Sequence, residues 1–244
     1  MEPSRQVGLR ALIDRGVHEP ALRRFAALLQ RIAVFHDPDL WSLRLGSRTT
    51  DDRQLEARGA NVLTLLRRWN QEREHRHRYQ FVVEGLRAAF PNLVSDLDFR
   101  EAGSTLVAQI YRPSQESPSP LANEANGVLQ LLVLFCEVAS VDDEGIVAVD
   151  EPENCLHPYA LRVFLRRASR WAKQHHVTVL LVTHSTVLLD ELPPEQVFVM
   201  KPAAQEEPIP TRLDRLCDPA WLAEFKVGEL YEQGEIGSNK DPAQ

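Results

Sequence analysis

Two short apolar runs in the second half of the chain each end in side chains that can do chemistry. Residues 146–149 read IVAV and are followed by Asp150 and Glu151, while residues 177–183 read VTVLLVT and are followed by His184. Two such runs joined by an amphipathic stretch predict parallel strands connected by a helix. Because ligands bind beyond the carboxyl ends of the strands in open α/β sheets, both polar sets are expected to face one crevice.

These side chains suit a magnesium-dependent reaction at a phosphate. Asp150 can hold Mg²⁺ through water, because this ion prefers oxygen ligands and keeps most of its hydration. Glu151 can polarise an attacking water, and His184 on the neighbouring strand can reach a terminal phosphate. Taken singly, such residues are more often surface acids or structural histidines. Their ordered combination at the ends of buried strands is much more specific.

The pattern around these strands predicts an α/β fold, with a parallel sheet flanked by helices and preceded by a helical region and a β-hairpin. The predicted helices are residues 20–34, 55–73, 79–90, 126–140, 159–175 and 185–191. The hairpin is predicted at 93–100 and 105–112, and a further strand at 196–200. A loop rich in proline and serine, residues 113–120, divides the helical and hairpin region (1–118) from the α/β lobe (119–244). We expect the strand at 177–183 to be covered on both faces, because no charge interrupts it.

Composition excludes several classes of function. A formal net charge of −7 is not that of a basic nucleic-acid binder. No apolar run approaches the roughly 18 residues that span a membrane, so no membrane partner is expected. The three cysteines (Cys136, Cys155 and Cys217) are too widely spaced for a disulfide framework or a CxxC metal site. Reduced thiols in a cytoplasmic protein are the expectation that follows.

Residues 150–158, DEPENCLHP, followed by VTHS at residues 182–185, resemble the Walker B, D-loop and H-loop of ABC-type ATPases. The chain looks closest to the bacterial AAA ATPases related to the RecF, structural-maintenance-of-chromosomes and overcoming-lysogenisation-defect proteins. The resemblance implies ATP and Mg²⁺ as ligands. It assigns Asp150 to the magnesium ion, Glu151 to the role of catalytic base and His184 to that of the switch histidine. The tail at residues 223–237, AEFKVGELYEQGEIG, is similar to the C-terminal tail of the same ATPases.

The D-loop and the ABC signature contact the opposite subunit in the nucleotide-sandwich dimer that the resemblance implies. Asn154 and His157 fall on the D-loop. The segment EANGVLQLL at residues 124–132 matches the signature, which places Asn126 and Gly127 at the γ-phosphate of a partner's nucleotide.

Two residues depart from the family pattern. Cys155 stands in the D-loop where the family usually has glycine, and Ala125 stands where the signature has its serine. Alanine cannot donate the side-chain hydrogen bond of that serine.

A P-loop ending in Gly-Lys-Ser or Gly-Lys-Thr is the expected feature that this sequence lacks. No glycine is followed by lysine, and the first lysine is Lys173. The backbone amides and the lysine of that loop hold the β- and γ-phosphates. In the family the loop lies ahead of every matched segment, so we expect this chain to be the C-terminal portion of such an ATPase, without the N-terminal Walker A lobe. The strands at 146 and 177 are then expected to leave an apolar sheet edge, which helices or a partner would cover.

Three interpretations stay open at this point. The chain can contribute catalytic acids to a composite ATPase site, in a homodimer or with a different partner that supplies Walker A. It can be a non-hydrolysing pseudo-ATPase, an interaction module in phage defence or DNA maintenance, with DNA contacted through the assembled complex. It can also be the product of a truncated ATPase gene. In each case the isolated chain is expected to bind ATP poorly and to hydrolyse it negligibly.

Overall fold

The secondary structure follows the α/β pattern in a computed structural model that describes residues 31–200 and 209–237, together with Pro20, Phe25, Ala27 and Leu29. The strands are β1 (Ile32–Phe35), β2 (Ser47–Arg48), β3 (Asp96–Ala102), β4 (Thr105–Tyr111), β5 (Ser119–Pro120), β6 (Ile146–Asp150), β7 (Thr178–Val182), β8 (Phe198–Met200) and β9 (Pro210–Arg212). The helices are α1 (Leu40–Leu45), α2 (Val62–Gln71), α3 (Arg76–Ala89), α4 (Asn126–Ser140), α5 (Pro158–His175), α6 (Thr186–Leu189), α7 (Leu213–Leu216), α8 (Pro219–Glu224) and α9 (Val227–Glu232).

A three-stranded parallel sheet with the order β1-β6-β7 carries the two polar strand ends. Val34 lies opposite Ala148, and Ala148 lies opposite Leu180. The central strand is therefore β6, and it is hydrogen-bonded along both edges. Asp150 ends this strand, beside Val182 of β7.

Two helices cover one face of the parallel sheet. All residues of α4 from Val128 to Ala139 are buried, as expected of a helix that is apolar all round. The amphipathic α5 begins with Pro158, whose missing N–H costs nothing at the first helical position. Its apolar stripe, which includes Phe164 and Trp171, packs into the same core. The α4 and α5 helices contact each other and α3.

The predicted hairpin is confirmed and belongs to a separate antiparallel sheet with the order β2-β4-β3, to which β5 adds beside β4. Buried and partly exposed residues alternate along β4, which is the pattern of a strand with one face on the core. The turn contains Gly103 at φ +65°, a left-handed conformation that glycine adopts without strain.

A second, smaller core lies in the C-terminal part of the chain. The two-stranded antiparallel ribbon of β8 and β9 contributes to it with α7 and α9. Its buried members include Val199, Leu213 and Leu230. Helix α9 packs against α6, the short helix that follows β7.

Several element predictions need correction. The helix predicted over 20–34 lies largely outside the described residues, and its end is wrong because 32–35 form β1. The β-branched and aromatic run IAVF pairs with β6, so sheet formation overrides the helical spacing. The helix predicted at 55–73 is confirmed only as α2. Gly59 at φ +73° and Asn61, whose side chain accepts from Glu56 N and donates to Gln54 O, form a turn before it.

The strand predicted at 196–200 is confirmed in part, as β8, although it pairs with β9 and not with the parallel sheet. The expectation that both faces of β7 are covered is wrong. Leu180 is 52% exposed and Val182 60%, and Val34 on the same face is 57% exposed. Within the described residues, β7 and β1 each pair with β6 alone. In the part of the chain that the structure describes, the parallel sheet is therefore open on one face and has no further strand along either edge.

Among the described residues, none of the helices combines the length and the apolar character that a membrane span requires. Cys136 is a buried free thiol, and Cys155 is an exposed one.

The buried carboxyl group of Glu137 on α4 predicts a pH-dependent stability. Glu137 is 1% exposed, its Oε2 has no hydrogen-bond partner among the described residues, and burial raises its pKa from 4.5 to about 8. Between these values the folded chain keeps a proton that the unfolded chain releases. The free energy of unfolding should therefore fall as pH rises through this window, by at most about 1.4 kcal/mol per pH unit.

Urea denaturation of the wild type and of Glu137→Gln at pH 5 and pH 7.5 tests this expectation. The variant should gain stability relative to the wild type at the higher pH, because glutamine carries no proton to lose. Glu116→Gln, at an exposed position, should show no such gain. An equal difference between Glu137→Gln and wild type at both pH values would contradict the assignment.

The contact between α3 and α4 gives a second stability prediction. A Cβ atom at Gly85 would overlap the ring of Phe135, which is fully buried. Alanine favours a helix over glycine by about 1 kcal/mol, but overpacking a tight core costs about 1–3 kcal/mol. We expect Gly85→Ala to lower the free energy of unfolding by up to about 2 kcal/mol. The exposed Gln80→Ala on the same helix should change it by less than about 0.5 kcal/mol. A stabilised Gly85→Ala protein would show that the ring yields.

Candidate functional site

The carboxyl end of the central strand presents the two adjacent acids. Asp150 is the last residue of β6, and its side chain is exposed. The next residue, Glu151, donates its backbone N–H to Val182 O at 2.8 Å, which continues the hydrogen bonding between β6 and β7 past the end of the strand. The backbone that carries both carboxylates is thus fixed by the neighbouring strand.

Glu151 is held in an unusual backbone conformation. Its φ of +46° is left-handed, a conformation that costs non-glycine residues about 1–2 kcal/mol. The side chain of Asn154 donates to Glu151 Oε2 at 3.0 Å, and the backbone N–H of Asn154 donates to Glu151 O at 3.1 Å. The turn therefore orients the carboxylate and leaves its Oε1 without a donor among the described residues. Strained residues of this kind cluster at functional sites.

Glu153 connects the turn after β6 to the segment after β7. One carboxylate oxygen accepts from Thr183 Oγ1 at 2.8 Å, and the other accepts from the backbone N–H of His184 at 2.9 Å. Thr183 Oγ1 in turn accepts from the backbone N–H of Ser185 at 2.9 Å. Hydrogen bonds to a carboxylate are about twice as strong as neutral ones, so Glu153 fixes the two chemistry-bearing segments against each other.

His184 lies on the exposed surface at the end of β7, and its ring contacts the C-terminal tail. The imidazole Nδ1 is 2.6 Å from the hydroxyl oxygen of Tyr231 in α9. The sequence pattern points to the tail as a whole and not to this tyrosine.

The signature-like segment begins helix α4 beside the D-loop of the same chain. A Cβ atom at Gly127 would lie 2.9 Å from the carbonyl oxygen of Cys155, so only glycine allows this approach. Asn126 does not project freely, because its Oδ1 accepts from Arg44 Nη2 at 2.7 Å. Ala125 is the N-cap residue of this 15-residue helix, and its side chain accepts no hydrogen bond from the first backbone amides. Those amides therefore lack a side-chain acceptor at the N-cap.

His157 has a structural contact within this chain. It is the N-cap of α5, and its Nδ1 accepts from the backbone N–H of Tyr159 at 3.2 Å. The ring therefore satisfies one of the unpaired donors at the start of the helix. Its predicted contact with an opposite subunit stays a prediction.

The residues present fit the magnesium-binding part of a magnesium–nucleotide site, but they do not include the Gly-Lys pair of its phosphate-binding loop. Mg²⁺ is commonly bound by one or two carboxylates together with phosphates and waters, and Asp150 offers an exposed carboxylate of this kind. No group of three or more acidic, histidine or cysteine side chains in the described part of the chain could hold a metal ion alone. No glycine–lysine pair occurs in the sequence, so none of its residues match the P-loop pattern that holds phosphates.

Cys155 provides a test of the turn after β6. Its φ is +62°, which explains why glycine is the usual residue at this position in the ATPases that the segment resembles. Cys155→Gly should therefore be about 1 kcal/mol more stable than Cys155→Ala, because both remove the exposed thiol and only glycine relieves the strain. Chemical denaturation of the two variants measures the difference. Equal stabilities would mean that the left-handed conformation carries no cost here.

Comparisons with known proteins identify a family and a similar fold. A family described as "AAA domain, putative AbiEii toxin, Type IV TA system" matches residues 3–190. The fold is similar to the crystal structure of the SmcHead bound to the C-winged helix domain of ScpA. That similarity has a TM-score of 0.50 and 10% sequence identity, and it covers 76% of this chain and 57% of that chain. No curated protein matches the chain.

At 10% identity the structural similarity shows the fold alone: a parallel sheet flanked by helices of the P-loop NTPase type, as predicted. The family match spans well over half of the chain. The chain therefore belongs to this family of AAA domains.

Proposed function

We propose that this chain supplies the magnesium- and water-directing half of a composite ATP-hydrolysing site whose P-loop comes from another polypeptide. One observation carries the proposal. Asp150 and Glu151 lie in the turn after β6, and His184 lies in the turn after β7. Both turns are at the carboxyl end of the parallel strands, and Glu153 joins them by hydrogen bonds. Family membership supports a nucleotide as the ligand.

Each residue has a role that its environment allows. Glu151, oriented by Asn154, takes a proton from the attacking water. Asp150 would hold a magnesium ion, which would supply positive charge to offset that of the phosphates. His184 donates a hydrogen bond to the γ-phosphate from the adjacent strand. Gly127 lies in the first turn of the neighbouring helix α4, where the first backbone amides favour a phosphate.

The open sides of the sheet support a second polypeptide in the complex. Parallel sheets are almost always covered on both faces, whereas Val34, Leu180 and Val182 are more than half exposed. A different protein contributes the lysine and amides that hold the phosphates, because a second copy of the chain brings no Gly-Lys pair. A second copy of the chain can still join the complex. We assign DNA contact, and a role in phage defence or DNA maintenance, to the assembled complex and not to this chain alone.

Phosphate release tests the proposal. The full chain is tagged in its source cells, the complex is purified, and its turnover of Mg-ATP is compared with that of a Glu151→Gln complex. Loss of a general base costs about 10²–10⁴-fold, so turnover should fall at least about 100-fold. Glu144→Gln is the matched control, since Glu144 precedes the opposite end of β6 and pairs there with the exposed Arg31. It should leave turnover unchanged.

The isolated chain provides the second arm of the test. Calorimetry should detect only weak Mg-ATP binding, because the chain has no P-loop. Micromolar binding by the chain alone would overturn the composite site, and a Glu151→Gln complex with full turnover would overturn the catalytic assignment.

A non-hydrolysing interaction module is the second candidate, and the same open face favours it. In addition, Ala125 has no hydroxyl to offer a partner's phosphate. On this interpretation the complex forms equally well with wild-type and Glu151→Gln chains, and it releases no phosphate in either case.

A further inference from the structure

We propose that Tyr231 is a positioning residue for His184: its hydroxyl donates to Nδ1 of the histidine and so directs the Nε2–H group outward, toward the substrate phosphate. This inference rests on the proposed function for the role of His184. The contact itself is independent of any nucleotide.

The geometry identifies a hydrogen bond and not ring stacking as the contact. The Tyr231 oxygen and His184 Nδ1 are 2.6 Å apart, while the ring centroids are 6.3 Å apart with planes inclined by 34°. The backbone N–H of His184 is already bonded to Glu153 Oε1. The backbone and one ring nitrogen of this exposed histidine are therefore both fixed.

The direction of the hydrogen bond follows from the acidity of the two groups. A phenol is a weak acid with a pKa near 10 and a good donor, whereas a neutral imidazole nitrogen is basic and a good acceptor. Tyr231 O–H donating to Nδ1 requires the single proton of a neutral His184 ring to be on Nε2. The ring nitrogen that faces away from the tail is thus a donor, as a contact with phosphate oxygens requires.

A close contact near the start of α9 fixes the place of the tyrosine. Gly228 donates its backbone N–H to Asp190 Oδ1 at 2.8 Å. A Cβ atom at Gly228 would lie 2.7 Å from that oxygen and 2.7 Å from Thr186 O. Gly228 and Tyr231 are three residues apart and so lie on the same face of the helix. Tight docking of this face against α6 brings the hydroxyl to His184.

The tautomer of His184 can be observed directly in the protein without nucleotide. Nitrogen-15 NMR of the histidine-labelled full chain separates pyrrole-type from pyridine-type ring nitrogens, and His184→Gln assigns the signals. In the wild type, Nε2 should be pyrrole-type, and Nδ1 should show the shift of a hydrogen-bonded acceptor. Tyr231→Phe should move Nδ1 to the position of a free pyridine-type nitrogen while keeping the packed ring.

Two further variants separate this role from general stability. Gly228→Ala touches neither ring but undocks α9, so it should produce the same Nδ1 shift. Tyr159→Phe removes another exposed hydroxyl, which donates to Ala88 O at 3.4 Å, and it should leave His184 unchanged.

Two results would overturn the proposal: a wild-type proton on Nδ1, or identical His184 signals in wild type and Tyr231→Phe. The wild-type spectrum decides even where a variant does not fold. A confirmed tautomer in a complex without ATP turnover would refute the proposed function and leave this contact standing.

Discussion

Parallel hydrogen bonding of β6 to a neighbour on each side is the constraint on which the candidate site depends. The strand contributes Asp150 only because its register with β1 and β7 is fixed over its length. A shift by one residue would turn every side chain of β6 to the opposite face. Val147 and Val149, which now pack on the helices, would leave the core, and the acid would point elsewhere. The register is therefore enforced by burial and not by the site itself.

The site is held by local contacts that oppose an unfavourable backbone. Glu151 and Cys155 both have positive φ values, and each stores about 1–2 kcal/mol of strain. Asn154 and Glu153 offset it with hydrogen bonds to the carboxylate of Glu151 and to the segment after β7. Because one glutamate bonds both the hydroxyl and the amide of consecutive residues, the two turns are expected to move together. Coupling of this type suits a site that must close around a phosphate.

Sequence reasoning located the strands and the helices whose apolar pattern is unambiguous, namely β6, β7, α4 and α5, and it located the acids at the strand end. It failed at β1, because IAVF continues a helical spacing and only pairing with β6 makes it a strand. It also failed for the open face of β7, since an apolar run shows what a strand could bury and not what is available to cover it. Tyr231 was missed because its partner is 47 residues away. The roles of Asp150, Glu151 and His184 stay predictions, as does the domain boundary near residue 118.

The pairing of β1 with β6 also has a consequence for folding. Ile32 and Ile146 lie side by side, although roughly a hundred residues separate them, and contacts of such high order form slowly. During synthesis β1 leaves the ribosome long before β6 exists, and β6 is the strand with which it pairs among the described residues. The acidic end of β6 acquires its geometry only after both β1 and β7 have paired with this strand. A chain arrested before that point would already contain α2, α3 and the hairpin, but not the end of the parallel sheet at which a phosphate could bind.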